Sequence, residues 1–220
     1  MPSAENLDSI RTEGMRILEL ARRDPERFVP QYPEWAMTDL LAHVASILGR
    51  TTLVCRQRPT ERISAPRLPE GQEIFDWYQS TLAEMIRTLE ESDPDVPVWG
   101  FVDGSTIGFW VRRMVVETGV HRWDAEQAFG EERPLHEIVA TSGLEEYGGM
   151  WLPRLGDMPA LEMTATDLGR TWVYGSVGST AEVKGTASEL YLRLMSRPSP
   201  VTLPEVWATA VDDMAPPPKP

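Results

Sequence analysis

The stretch GFWVRRMVVETGVHRWDAEQAF, residues 108–129, decides both the fold and the site that the sequence predicts. Glu117 and His121 lie four residues apart within it. On an α-helix, residues four apart project from the same face, so these two side chains can bind one ion together. The spacing therefore predicts a helix from about residue 106 to 129 that carries two ligands of a metal site.

A possible third ligand, His43, lies upstream in WAMTDLLAHVASILG, residues 35–49. The apolar residues around it recur at helical spacing and predict a helix with a buried stripe, so that His43 can point into a bundle interior. Two imidazoles and one carboxylate suit zinc or a similar divalent cation, and three protein ligands leave a fourth position open for water or substrate. The alternative is a satisfied core histidine and an accidental pair on another helix.

The remaining pattern predicts a mainly α fold with a small α/β part. Four amphipathic segments, at about residues 5–23, 38–55, 72–91 and 106–129, can bury their apolar faces only against each other, which predicts a four-helix bundle over residues 1–134. Residues 135–220 are expected to form a small α/β domain. This domain would contain a helix over 135–155, two strands around a turn at 167–169, a short strand at 181–185, a helix over 186–197 and a frayed tail, MAPPPKP.

Three blocks of sequence resemble the mycothiol-dependent maleylpyruvate isomerase family, which belongs to the DinB-like group of helical metalloproteins. They are W-x-x-x-D-L-L-A-H at 35–43, R-M-x-x-E-T-x-V-H-R-W-D-A-E at 113–126 and VKGTASELYLRLMSRP at 183–198. The resemblance implies a DinB-like bundle that binds zinc through His43, Glu117 and His121. It also implies that mycothiol, as a thiol cosubstrate, attacks a small electrophile, as in a cis–trans isomerase or a thiol S-transferase.

Two departures from the family pattern lie at helix ends. The family usually has Thr directly after the Trp, whereas this chain has Ala36, so Thr38 is the predicted replacement cap. The last block commonly ends in Gly-Arg, and here it reads Ser196-Arg197. Because the Arg is kept, the resemblance implies that Arg197 reaches toward the cleft from the second domain as a catalytic residue, the alternative being a helix cap.

Charged residues near the predicted ligands have two interpretations each. Asp39 and Asp124 could each accept an imidazole N–H from a ligand, or form ordinary helix interactions. Arg113, one turn before Glu117, could hold that carboxylate, bind an anionic group of the thiol or substrate, or form a solvated salt bridge.

Two tryptophans and the third histidine are further candidates. Trp110 and Trp123 could wall the site, although aromatic residues at helical spacing are more often core, and Trp123 is assigned there. His136 lies outside all three blocks and is expected at the surface or at a helix start.

Composition excludes several classes of partner. Asp plus Glu number 34 against 21 Lys plus Arg, a net charge of −13, which repels nucleic acid and anionic membranes. No apolar run is long enough for a membrane span, and the acidic start MPSAENLDSI lacks the features of a signal peptide. A cytoplasmic protein is expected, with Cys55 as a buried, unpaired helix residue.

Three functions remain open at this point. The first is a mycothiol-dependent metalloenzyme. The second is a non-catalytic DinB-like metal-binding sensor or binding module, which would keep the same three ligands. The third is a purely structural helical protein, which would require His43 to point away from Glu117 and His121.

Overall fold

The computed structural model describes residues 2–214 and 219–220 of the 220-residue chain. Over these residues the chain is mainly helical with a small α/β part, as predicted. The helices are α1 (Ala4–Arg23), α2 (Met37–Gln57), α3 (Ile74–Glu90), α4 (Ile107–Gln127), α5 (Glu137–Met150), α6 (Ala187–Leu194) and α7 (Glu205–Asp212), and the strands are β1 (Pro159–Ala165), β2 (Arg170–Tyr174) and β3 (Val177–Gly185). The chain divides into two compact units, Met1–Arg133 with Pro218–Pro220 and Pro134–Pro217.

The first unit is a four-helix bundle. Helix α1 packs mainly against α4 and also against α3, and α2 packs mainly against α3 and also against α4. The apolar stripes predict this packing, because the residues at helical spacing are the buried ones. In α1 these include Ile10, Ile17 and Leu18, which are fully buried. The bundle therefore places α2 and α4, the two helices with predicted ligands, side by side.

Helix α2 does not begin as predicted. The prediction of Thr38 as the cap is wrong, because the helix starts at Met37 and Ala36 occupies the capping position. Asp39 supplies part of the capping interaction, since its Oδ2 accepts a hydrogen bond from the Ala36 N–H at 2.9 Å. A carboxylate inside the first turn also suits the positive end of the helix dipole.

Helix α4 differs from the others in being buried on nearly all sides. Its buried residues include many charged and polar side chains, and the list is Arg113, Glu117, Thr118, His121, Arg122, Asp124 and Glu126. Buried charges are costly unless they are paired or bind a metal. Helix α4 therefore contributes residues both to the candidate site and to a separate cluster of paired charges.

The second unit contains a three-stranded sheet in the order β2-β1-β3. Strands β1 and β2 form the predicted hairpin, whereas β3 lies parallel to β1 on its other side. Two residues carry the chain from β2 past the start of β1. At the first of them, Gly175, φ is +69° and an added Cβ would lie 2.4 Å from the Pro159 carbonyl oxygen, so only glycine fits this crossing.

Contacts between α6 and α7 explain how Ser196 is accommodated where the family usually has Gly. Ser196 has φ of +59°, in the left-handed region that favours the glycine usual in the family. Its hydroxyl donates to Asp212 Oδ1 at 3.0 Å, and both oxygens of Asp212 also accept from Arg193. Helix α7, which supplies Asp212, was not predicted. Of the predicted tail, residues 215–218 lie outside the described residues.

Within residues 2–214 and 219–220, none of the helices has the length and apolar character that a bilayer span requires.

Candidate metal centre

The three predicted ligands converge on one point between α2 and α4. The Nε2 atom of His121 lies 3.1 Å from Glu117 Oε1, and the Nε2 atom of His43 lies 3.6 Å from the same oxygen. One ligand atom from each residue lies within 4.8 Å of the others. The residues of α2 and α4 that sequence reasoning selected are therefore adjacent in space, and His43 does not point away.

Two of the three separations between these atoms are close to those around a tetrahedral divalent ion. Zinc binds imidazole nitrogen and carboxylate oxygen at about 2.0–2.2 Å, which puts neighbouring tetrahedral ligands about 3.3 Å apart. The observed separations of 3.1 and 3.6 Å bracket that value. The two imidazole rings meet at 82°, edge to face, so each nitrogen approaches from its own direction. The donor set suits zinc or a similar cation, and two of the three donor separations lie near the tetrahedral value.

Burial and charge prepare two of the three ligands for a cation. Burial opposes ionisation of Glu117, but the Arg113 charge and His121 overcome it and hold the pKa of this carboxyl well below its usual range. Burial also lowers the pKa of His43, although Glu117 acts in the opposite direction. At neutral pH the first residue is a carboxylate and the second a neutral imidazole. Both are in the protonation state that a metal requires.

His121 is positioned by a second carboxylate. Its Nδ1 atom lies 3.0 Å from Asp124 Oδ2, and the Tyr32 hydroxyl donates to the same oxygen at 3.4 Å. An Nδ1–H that donates to Asp124 leaves the Nε2 lone pair facing Glu117 and His43. Burial lowers the pKa of His121, but Glu117 and the hydrogen bond to Asp124 outweigh it and raise that pKa above its ordinary value. Without a metal, the two carboxylates therefore favour the protonated form of this imidazole.

Arg113 holds the other oxygen of Glu117. Its Nη2 donates to Oε2, within a pair of residues one turn apart on α4, and both side chains are buried. Oε1 thus remains available to the imidazoles while Oε2 is held by the guanidinium. Of the interpretations of Arg113, the structure shows a buried pair with Glu117, and contact with a thiol or substrate stays a prediction.

The loop before α2 forms an aromatic wall beside the ligands. Trp35 lies 5.0 Å from the His43 ring, and Tyr32 stacks on Trp35 with 4.3 Å between ring centroids. Sequence reasoning missed Tyr32, although the Trp35 that anchors it belongs to a quoted block. His43 remains the most open of the three ligands, with its side chain 16 % exposed.

Asp39, the other candidate partner for an imidazole, does not serve a ligand. Its Oδ2 accepts from the Ala36 N–H and lies 3.1 Å from Lys219 Nζ. The interpretation of Asp39 as a helix-end residue is thus the one that the structure supports.

The two tryptophans and His136 lie in different environments. Trp110 is fully buried among Trp99, Phe101 and Phe109, and Trp123 is also buried, in agreement with its assignment to the core. His136 is exposed at the start of α5, as expected.

Arg197 belongs to the second unit. It is buried, and its Nη1 donates to the Met195 carbonyl oxygen at 2.8 Å. Its catalytic role stays a prediction.

Comparison with known proteins identifies the bundle. Residues 7–126 match the family described as the mycothiol maleylpyruvate isomerase N-terminal domain, and these residues make up more than half of the chain. The chain belongs to this family. The matched span contains all three candidate ligands of the metal centre.

Two solved structures share the fold. The crystal structure of the mycothiol-dependent maleylpyruvate isomerase has 14 % sequence identity and a TM-score of 0.68, and that of a histidine-to-alanine mutant of this isomerase has 15 % identity and a TM-score of 0.69. In both cases 92 % of each chain is covered. At this identity the likeness establishes the fold. No sequence relative is found among curated proteins.

Proposed function

We propose that this chain is a mycothiol-dependent metalloenzyme, acting either as a cis–trans isomerase of the maleylpyruvate isomerase type or as a thiol S-transferase. The proposed cofactor is a divalent ion, with zinc favoured by the two-imidazole, one-carboxylate ligand set. The observation that carries the proposal is the convergence of His43, Glu117 and His121 on one point. Family membership supports the choice of a small thiol as cosubstrate.

The advantage of such a centre is the ionisation of the thiol. When bound, the ion would take the thiol sulfur in its open position and lower the thiol pKa. A free thiol with a pKa of about 8.5 is only a few percent ionised at neutral pH, so complete ionisation raises the nucleophile concentration roughly 30-fold. Addition of the thiolate to an activated double bond permits rotation and release in an isomerase, whereas attack on another electrophile gives a stable conjugate in a transferase.

The chain's own residues fix the centre before any ligand arrives. Arg113 keeps Glu117 ionised and restrains one of its oxygens, and Asp124 accepts the Nδ1 proton of His121, which orients that ring. Trp35 packs beside His43, with 5.0 Å between the ring centroids. Such preorganisation is expected to favour metal binding and to limit hydrolysis of a reactive electrophile.

Arg197 is proposed as a second contributor, through binding of an anionic group of the thiol or electrophile. Arg197→Lys keeps the charge but loses the bidentate fork, which is worth on the order of 1.5 to 3 kcal/mol in a charge-assisted contact. The expected loss is roughly 10- to 100-fold in kcat/KM, with metal content unchanged. Unchanged catalysis with a lower melting temperature would instead assign Arg197 to helix capping.

Two assays test the proposed function. In the first, zinc-loaded protein is mixed with mycothiol and maleylpyruvate, and isomerisation is followed spectrophotometrically. In the second, mycothiol is mixed with monochlorobimane, and the S-conjugate is measured by mass spectrometry. One of the two reactions should be accelerated and should require both mycothiol and an intact metal centre.

A matched pair of histidine variants provides the control. His43→Ala should abolish the acceleration, whereas His136→Ala, which alters an exposed histidine outside the centre, should leave it unchanged. Acceleration in neither assay, or equal rates in the wild type and His43→Ala, would overturn the proposal. Zinc binding without acceleration would favour a metal-binding sensor instead.

A further inference from the structure

Arg50 lies along the same seam of the bundle as the metal centre. It follows His43 by seven residues on α2, which is two helical turns and about 10 Å along the same face. Its guanidinium carbon lies 5.4 Å from the centre of the Phe101 ring and 6.0 Å from that of Trp110. Trp110 in turn precedes Glu117 by seven residues on α4. Arg50 therefore faces α4 two turns away from the point where the ligands converge.

Arg50 is partly exposed, and one N–H of its guanidinium lacks the acceptor that the buried arginines of the bundle have. Its Nε atom is buried and has no hydrogen-bond acceptor among residues 2–214 and 219–220. By contrast, Arg113 donates to Glu117, and Arg122 donates to Glu13 and Glu126. A buried donor without an acceptor costs free energy. The aromatic rings hold the guanidinium in place without satisfying its N–H groups.

The charge around Arg50 is locally positive, although the chain as a whole carries −13. Burial lowers the pKa of Arg50, and the charges of Arg62 and Arg113 lower it further. The opposing negative charge is that of Glu117, which is already paired with Arg113. A bound anion would relieve this excess of positive charge and would supply the missing acceptor.

We propose that Arg50 forms a carboxylate-binding subsite, which holds the charged end of a small molecule whose other end reacts at the metal centre. The inference rests on the proposed function. The guanidinium packs beside the Phe101 and Trp110 rings, whose centroids lie 5.5 Å apart, and its planar N–H fork matches the bidentate geometry of a carboxylate. The carboxylate belongs to the electrophile, because the cysteinyl carboxyl of mycothiol is held in an amide bond.

Calorimetric titration of the zinc-loaded protein with two pairs of probes tests this assignment. One pair is maleate and maleamide, and the other is N-acetylcysteine and its amide. In each pair only the first compound is charged. A preference for maleate over maleamide is the expected result. A preference confined to N-acetylcysteine, or a preference in neither pair, overturns the proposal.

Variants of Arg50 separate the guanidinium from the metal as the source of the preference, because zinc itself attracts carboxylates. Arg50→Met should weaken binding of the preferred probe about 10- to 100-fold, the range expected for loss of a charge-assisted pair. Arg50→Lys should retain part of the affinity. Arg56→Gln, which alters an exposed arginine of α2 paired with Glu84, is the matched control and should behave as the wild type.

The melting temperature of the same variants tests a purely structural role. Arg50→Met removes an unsatisfied donor, so the ligand-free protein should melt at the wild-type temperature or above it. A fall in melting temperature with unchanged probe affinity would assign Arg50 to packing and overturn the proposal. Zinc content is measured on every sample. Absence of bound zinc would contradict the proposed function, and it is thereby distinguished from absence of carboxylate binding at Arg50.

Discussion

Helix α4 carries two buried polar clusters that face different neighbours and differ in how their charges are balanced. The first, here called the ion network, faces α1. Arg122 donates to Glu13 at 2.6 Å and to Glu126 at 2.8 Å, and Glu126 also accepts from Arg16 and Arg133. Each carboxylate of this network faces a guanidinium, so the chain itself supplies the balancing cations.

The metal centre faces α2 and is balanced differently. Two imidazole nitrogens and one carboxylate oxygen converge there, and all three are groups that can offer a lone pair to a cation. Arg113 neutralises Glu117 from the far side but does not fill the point of convergence. The comparison shows that burial and charge alone do not separate a paired structural cluster from a candidate metal centre. The separating feature is whether acceptors converge on a position that no Lys or Arg side chain among residues 2–214 and 219–220 fills.

The largest expected effect concerns the ion network. Arg122→Ala leaves the buried Glu13 and Glu126 without their central partner, which should cost about 3 to 5 kcal/mol of the free energy of unfolding. Urea denaturation measures this loss. Zinc content should be unchanged, and Arg112→Ala, at an exposed position of the same helix, should cost little. Loss of zinc from folded Arg122→Ala would show that the two clusters are not independent.

Removal of the metal should affect the other cluster without unfolding the protein. The bundle buries a core of its own, unlike a small zinc finger, so chelation should leave the helical circular dichroism intact. At a free zinc concentration 100 times Kd, the metal should add about 2.7 kcal/mol to the free energy of unfolding, and chelation should remove that increment. Collapse of the helical signal on chelation would make the ion structural, like the arginines of the ion network.

The next effect concerns the hydrogen bond between Asp124 and His121 and its contribution to zinc affinity. Asp124→Asn replaces the carboxylate that accepts the His121 Nδ1 proton, and such outer partners typically contribute 10- to 100-fold to metal affinity. The expected loss of zinc affinity is in that range, measured by competition with a chromogenic chelator. Asp39→Asn, which alters the carboxylate at the α2 cap, is the matched control. Equal affinities for the wild type and Asp124→Asn would remove Asp124 from the centre.

The smallest expected effect is a pH dependence of opposite sign with and without metal. The folded-state pKa of His121 lies above its ordinary value of 6.5. The stability that its proton contributes is therefore complete below the unfolded pKa and is lost as pH rises through the folded pKa. Zinc must displace this proton, so zinc affinity rises over the same range.

Melting temperatures from about pH 6 to 8.5, with chelator and with zinc, measure both trends, and a single proton contributes at most about 1.4 kcal/mol per pH unit. The difference between the two curves should widen as pH rises. Glu117 does not interfere, because its stabilising contribution is lost only as pH falls through a pKa well below 4.5. His43, whose folded pKa is lowered from 6.5, gives a trend of the opposite sign that fades above its unfolded pKa, so the His121 trend is measured in the upper part of this pH range. Parallel curves would contradict the proposed competition between the proton and the metal at His121.

The parts of the fold predicted from the sequence are those set by local spacing. The four bundle helices follow from apolar residues at helical intervals, and the pairing of Glu117 with His121 follows from a four-residue separation on one helix. The convergence of Glu117 and His121 with His43 was predictable because the apolar residues around His43 place it on the side of α2 that faces the bundle interior. The β1–β2 hairpin likewise follows from two short strands around a tight turn.

Other features depend on contacts between segments distant in sequence. The parallel pairing of β3 with β1 requires the chain to cross the start of β1 at Gly175. The local sequence pattern does not predict this crossing. Helix α7 is short, and its buried Trp207 and Val211, four residues apart, were the available signal. The roles of Tyr32 and Arg50 become visible only when α2 and α4 are placed side by side, although the seven residues between His43 and Arg50 already put them on one face.

The most direct test of the central claim is the zinc stoichiometry of the wild type and of the triple variant His43→Ala, Glu117→Gln, His121→Ala. Both proteins are loaded with zinc, freed of weakly bound metal by dialysis and measured by elemental analysis, with circular dichroism to confirm that the triple variant is folded. We expect close to one zinc per wild-type chain and almost none in the variant. Equal zinc in the two folded proteins would show that these three residues do not form a metal centre.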